Sequence, residues 1–188
     1  MRFLLPFKGL ECAKSRWPGL GPKREDLVLT LLRQNLKTVS GVVGKEQTFL
    51  VSPDPETAAL FPQYSVLSTA GEGLNSDLRE ARSQLGASHR PLLVLLPDLP
   101  GLLAADVSAL IERAQEYQVV LCPDHLQTGT NALALNPASC LDFLFEGSSF
   151  QRHLEAARAA QLTHSVLKRP GIAHDCDDIA ALERFCLL

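Results

Sequence analysis

The 188-residue sequence has no excess of positive charge, and that removes a large class of functions at once. Its net charge is −3, whereas duplex nucleic-acid binders carry a broad basic footprint. No nucleic-acid partner is therefore expected. Cysteine is sparse and unpatterned: Cys12, Cys122, Cys140, Cys176 and Cys186 are scattered, odd in number and form no C-x-x-C pair. This argues against a zinc site or a disulfide frame and fits free thiols in a reducing compartment. His89, His125, His164 and His174 share no metal-ligand spacing. There is no long apolar run at the start, because Lys8, Glu11 and Lys14 follow directly on MRFLLPF. That stretch is too short for a signal peptide or a membrane span, so the expectation is a cytoplasmic protein with no membrane partner. A glycine-rich phosphate loop is lacking too. Gly19-Leu20-Gly21-Pro22 matches neither G-x-G-x-x-G nor the Walker pattern, and Pro22 removes an amide that a phosphate cradle would use. Without internal repeats or low-complexity linkers, the chain reads as one domain over residues 1–188.

What is present is an ordinary globular composition, 46% hydrophobic and 21% charged. Its organising stretch is Leu92 to Pro100, LLVLLPDLP. Five consecutive aliphatic residues cannot alternate in and out, so they suit a strand covered on both faces at the centre of a parallel sheet. Further strands are expected at Arg2–Phe7, Thr48–Ser52, Tyr64–Ser68, Val119–Cys122, Ala132–Leu135 and Ser165–Lys168. Between them lie helical patterns. The first opens near Pro22 with Glu25 and Asp26 at its positive end, and buries Leu27, Leu31, Leu32, Leu36 and Val39. Others are a short helix after Asp54-Pro55-Glu56, one carrying Leu78, Ala81 and Leu85, one over Leu102–Tyr117, one from Ser148 with a Ser148/Gln151 capping box, and a closing helix ending near Phe185. Alternating strands and helices give a layered α/β domain with a mostly parallel sheet.

The chemistry-bearing residues fall at the ends of these elements. Asp98 closes the central strand, where open α/β sheets bind ligands; the competing reading is a cap for the next helix. Asp175 and Asp177, two apart, place both carboxylates on one side of an extended segment. Such acids are hard oxygen ligands for magnesium on nucleotide phosphates, or Asp177 and Asp178 cap the last helix. Residues 1–24 hold Arg2, Lys8, Lys14, Arg16, Lys23 and Arg24 against only Glu11. Lys8, Lys14 and Arg16 either clasp a triphosphate or sit on a solvated loop. The polar turn Thr128-Gly129-Thr130-Asn131 and the helix start at Ser148 and Ser149 suit a small phosphorylated acid, or are only a turn and a cap. His153 follows Ser149 by one helical turn and either faces the same pocket or serves at the surface.

Several strings carry a family resemblance in order along the chain: AKSRW, GLN, LLPDLP, PD followed by GTNAL, SSFQRH and DCDD. Together they resemble the guanylyltransferases of deazaflavin (coenzyme F-420) biosynthesis, the CofC/FbiD family, over almost the whole sequence. The resemblance implies a three-layer α/β/α nucleotidyltransferase fold of the GT-A type with a mixed, mainly parallel sheet. It implies transfer of GMP from GTP to 2-phospho-L-lactate, phosphoenolpyruvate or 3-phosphoglycerate, with loss of pyrophosphate. The triphosphate would lie against Lys8, Lys14, Ser15 and Arg16, and guanine near Gly73, Leu74 and Asn75. Magnesium would lie near Asp98 with Asp175 or Asp177, and the acid near Thr130, Asn131, Ser148 and Ser149. Lys14, Arg16 and Asp98 would carry catalysis, which would come from positioning and from charge neutralisation by Lys14, Arg16 and the magnesium near Asp98, since a phosphate nucleophile needs no dedicated base.

Two departures from the family pattern stand out. Phe145-Glu146-Gly147-Ser148-Ser149 replaces the usual F-G-P-G-S, which leaves the acceptor open, and DCDD replaces D-x-D-T. Alternatives are another nucleotidyltransferase of the cytidylyl or molybdopterin guanylyl type, which would carry a glycine-rich basic loop that this chain lacks, and a non-catalytic nucleotide-binding protein. Oligomeric state, a homodimer included, is left open.

Overall fold

The aliphatic run from Leu92 occupies the middle of the molecule. In the computed structural model, which describes residues 1–10, 23–86, 89–176, 183 and 185, strand β4 (Leu92–Leu95) is the fourth of seven in one sheet. The other strands are β1 (Arg2–Pro6), β2 (Thr48–Ser52), β3 (Ser65–Ser68), β5 (Val119–Pro123), β6 (Thr130–Leu135) and β7 (His164–Val166). Their order is β3-β2-β1-β4-β6-β5-β7. All neighbours are parallel except β6, which runs antiparallel to both β4 and β5. The sheet is thus mixed and mainly parallel. Both edge strands, β3 and β7, lack a buried residue, while every residue of β4 is buried. That difference is what a continuous aliphatic run against strands of mixed polar and apolar composition dictates.

Helices α1 (Lys23–Val43), α2 (Thr57–Leu60), α3 (Leu74–Gln84), α4 (Ala104–Glu116), α5 (Ser149–Ala159) and α6 (Pro170–Ala173), with a 3-10 turn at Lys45–Gln47 before β2, complete the described fold. Strand side chains alternate between two cores. Phe3, Leu5, Leu93, Leu95, Val120 and Cys122 pack with α1 and α4 through Leu32, Leu36, Val107 and Leu110. Leu4, Leu92, Val94, Val119 and Leu121 pack on the other face with α3 and α5 through Leu78, Ala81, Phe150 and Leu154. This is the three-layer α/β/α arrangement. Each fully buried leucine contributes on the order of 2 kcal/mol of transfer free energy.

Boundaries differ from the sequence reading in three places. Thr130 and Asn131 lie on β6 rather than in the turn before it. Ser148 is the residue before α5, but its side chain makes no capping hydrogen bond, so the Ser148/Gln151 box is not formed. Instead Arg152 donates to the Glu146 carbonyl at 3.0 Å, and the Ser149 N–H donates to the Gly147 carbonyl at 2.8 Å. The short helix α6, unexpected from sequence, follows a β7 that ends at Val166. Most of the expected closing helix lies outside the described residues.

Candidate active site

Because the strands are parallel apart from β6, the carboxyl ends of β1, β2 and β4 and the amino end of β6 share one rim. Asp98 follows β4 there. It does not cap α4: Leu103 occupies the cap position, and its N–H is held at 3.1 Å by the Asp106 carboxylate. The Asp98 turn is braced from two sides. Asn35, buried in the apolar stripe of α1, donates to the Pro97 carbonyl at 2.7 Å, and Gln34 donates to Pro100 at 3.0 Å. From the other side the Cys176 N–H donates to the Asp98 carbonyl at 3.0 Å. That bond brings Asp175, one residue earlier, beside Asp98. Asp177, the second of the paired acids, lies outside the described residues, as do Lys14, Ser15 and Arg16. Among the described residues no three His, Cys, Asp or Glu side chains cluster closely enough to hold an ion alone.

Lys8 is exposed on the loop leaving β1. The backbone at Gly9 is left-handed (φ +86°), and a Cβ there would collide with the Asp54 carboxylate. Glycine therefore lets this loop lie against the end of β2. On the next element, Gly73 precedes α3 with φ +117° and open space where a Cβ would be. The turn before it is pinned by acids of α3, with the Gly71 N–H on Asp77 at 3.0 Å and the Ala70 N–H on Glu80 at 3.0 Å. Leu74 and Asn75 open α3. Asn75 is buried, and its Oδ1 accepts the Phe145 N–H at 2.7 Å. Helix α3 is thereby tied to the loop that carries Glu146, Gly147 and Ser148, all three exposed.

Across that loop lies a buried polar group. Thr130, Ser149 and His153 are 2%, 4% and 0% exposed. Ser149 donates to Thr130 Oγ1 at 3.2 Å, His153 Nδ1 lies 3.2 Å from the same oxygen, and His153 Nε2 accepts the Leu144 N–H at 3.0 Å. The Phe150 N–H donates to Thr128 at 3.0 Å, locking α5 to the β5–β6 turn. Asn131 belongs to a different contact: its amide donates to the Ile172 carbonyl at 2.8 Å, anchoring α6 to β6. The structure thus brings Asp98, Asp175, Thr130 and Ser149 to one rim, with Asn75 joined to them through Phe145.

Burial lowers the His153 pKa from an ordinary 6.5 to about 4, although the Ser149 carbonyl acts in the opposite sense. The folded protein therefore keeps this ring neutral, while an unfolded chain would protonate it between those two values. Stability from this group is complete above pH 6.5, falls as pH drops towards 4, and is lost below that. The loss is at most about 3 kcal/mol. Urea midpoints measured across that interval should fall for the native protein and fall less for His153→Gln.

The family model described as "Guanylyl transferase CofC like" matches residues 1–187. The chain belongs to the CofC-like guanylyltransferase family. This CofC-like chain is 40% identical to the phosphoenolpyruvate guanylyltransferase of Chloroflexus aggregans, with 97% of the chain and 95% of that protein covered. It is 39% identical to the protein of the same name from Rubrobacter xylanophilus, covering 96% and 92%. The 2-phospho-L-lactate guanylyltransferase of Methanobrevibacter ruminantium is 27% identical, covering 85% and 73%. In fold the CofC-like chain is similar to CMP:2-keto-3-deoxy-manno-octonic acid synthetase, with a TM-score of 0.69, 13% identity and coverage of 99% and 97%. It is also similar to 4-diphosphocytidyl-2C-methyl-D-erythritol synthase, with a TM-score of 0.65, 16% identity and coverage of 98% and 96%.

Several residues that shape this CofC-like site were not singled out from sequence. Asn35 interrupts the apolar stripe of α1, and Asp106 sits beside Val107 and Leu110 on α4. A lone polar residue on a buried helix face was the available signal, since such a group must find a partner. No sequence signal marks the Cys176 N–H, because backbone donors are present at every residue but proline.

Proposed function

We propose that the protein transfers GMP from GTP to a three-carbon phosphorylated acid, phosphoenolpyruvate in particular, and releases pyrophosphate, a step of coenzyme F-420 biosynthesis. The observation that carries this reading is the bond from the Cys176 N–H to the Asp98 carbonyl. It joins the segments that carry Asp98 and Asp175, at the rim where the buried Thr130 and Ser149 hydroxyls also lie. The choice of phosphoenolpyruvate rests on the relatives at 40% and 39% identity, whose names specify that acid.

In this reading the acid sits against Thr130 and Ser149, guanine lies at the open start of α3 by Gly73 and Leu74, and the triphosphate runs toward Lys8, Lys14, Ser15 and Arg16. An oxygen of the acid's phosphate forms the new bond to the α-phosphorus of GTP, and the bond to the β-phosphate bridging oxygen breaks. The acceptor phosphate is already ionised at neutral pH, so the chain's residues supply position and charge rather than a base. Asp98 with Asp175 or Asp177 provides hard oxygen donors suited to magnesium, which takes one or two carboxylates and completes its shell with phosphates and water. When bound, that ion would neutralise charge on the phosphates.

The test is pyrophosphate release with each of GTP, CTP, ATP and UTP against phosphoenolpyruvate, 2-phospho-L-lactate and 3-phosphoglycerate. GTP with phosphoenolpyruvate should give the highest kcat/KM. Preference for CTP would favour a cytidylyl enzyme, and binding of GTP without release in any combination would leave only a nucleotide-binding protein.

A further inference from the structure

An acceptor subsite built from two hydroxyls needs them turned the right way, because each is both donor and acceptor. The buried imidazole behind them decides this. A backbone N–H is only ever a donor, so the Leu144 N–H fixes His153 Nε2 as an acceptor without a proton. The neutral ring then carries its single proton on Nδ1, which faces Thr130 Oγ1 at 3.2 Å. A protonated Nδ1 cannot accept, so Thr130 cannot spend its own proton on the ring. Nor is that proton spent on Ser149, whose hydroxyl is the donor in their contact. Thr130 Oγ1 thus receives two hydrogen bonds, and its proton remains for a third group.

The same ring also governs the loop opposite. Leu144 hangs on Nε2, the Phe145 ring stands edge-on to the imidazole at 5.0 Å, and the Phe145 N–H is held by Asn75 at the start of α3. His153 therefore touches both the hydroxyl pair and the loop that separates it from the base side. We propose that His153 is a positioning residue that holds Thr130 as a hydrogen-bond donor to the anionic acceptor acid. This rests on the guanylyl-transfer reading above. A histidine with only a packing role would fill the same space without setting the direction of the Thr130 proton.

Two substitutions separate these roles, because they copy different ring nitrogens. The amide of Asn reaches the Nδ1 position and retains a donor toward Thr130. The longer side chain of Gln reaches the Nε2 position and retains an acceptor for Leu144. His153→Gln should raise the KM for phosphoenolpyruvate about tenfold or more, the loss expected for a hydrogen bond to a charged ligand. His153→Asn should raise it less, and the KM for GTP should move in neither. In a Thr130→Val background, His153→Gln should add nothing further to the acid KM, since the group it orients is gone. The proposal is overturned by an acid KM unchanged in His153→Gln, by a rise in His153→Asn as large as in His153→Gln, or by parallel rises in the GTP KM.

Nitrogen-15 NMR of the ring in the native protein tests the premise without any variant. Protonated Nδ1 and bare Nε2 support it, and the opposite tautomer overturns it. If the native protein turns over none of the acids, the guanylyl-transfer reading itself has failed. If it turns over and His153→Gln keeps its acid KM, only the role of His153 has failed.

Discussion

Asp98→Asn is expected to lower pyrophosphate release by about 10² to 10³-fold, the loss typical of removing one preorganised electrostatic group from a transition state. The midpoint of thermal unfolding should stay close to that of the native protein. The reason lies in which atoms of Asp98 do what. Its backbone carbonyl, not its carboxylate, accepts the Cys176 N–H. The neighbouring carbonyls of Pro97 and Pro100 accept from Asn35 and Gln34. Asparagine keeps the backbone, the volume and all of these backbone-carbonyl bonds while removing the negative charge and one hard oxygen donor. A steady-state assay at saturating magnesium and GTP, run beside a melting curve, measures both halves. A rate equal to the native enzyme would mean that the carboxylate bears no metal.

Arg169→Leu is expected to cost about 3 kcal/mol of stability, the low end for breaking a buried ion pair from one side. Asp106 is 2% exposed and holds Arg169 Nε at 2.7 Å, while the arginine itself is about one-third exposed. Removing the guanidinium leaves a buried carboxylate with the Leu103 N–H as its other partner. The neighbourhood has no room to adjust, since Gly171 lies so close to Asp106 and the Gly101 carbonyl that a Cβ would collide with both. The damage should reach the rim. Arg169 precedes α6, α6 presents the Ile172 carbonyl to Asn131, and the chain then continues to Asp175 and Cys176. Urea unfolding should show the lost stability, and kcat should fall even where the variant is fully folded. The pair Arg79–Asp142, with side chains 45% and 49% exposed, provides the contrast. Arg79→Leu should cost no more than about 1 kcal/mol, because water screens an exposed pair and replaces it cheaply.

The layering was legible in sequence because it depends on periodicity. The Leu92 run suits a doubly covered strand, and the period of Leu31, Leu32, Leu36 and Val39 suits one helix face. The candidate site was half legible. Asp98 stood out by ending an apolar run, and Thr130, Ser148 and Ser149 by grouping polar atoms beside elements. Whether Asp98 caps a helix was not decidable from the string LLPDLP. That depends on where α4 begins, and the Asp106 bond to the Leu103 N–H begins it five residues further on.

By itself the sequence determined the alternation of strands and helices, the burial of β4 and the residue types available at the strand ends. Each of these follows from side-chain chemistry repeated at a local period. The tertiary structure decided the direction of β6, and that choice made the rim. Running antiparallel to β4, β6 starts where β4 ends, which carries Thr130 to the level of Asp98. It also decided that His153 is buried and neutral and that Cys176 closes on Asp98. Such outcomes depend on hydrogen bonds between segments tens of residues apart, and local sequence does not encode which distant backbone group will be the partner.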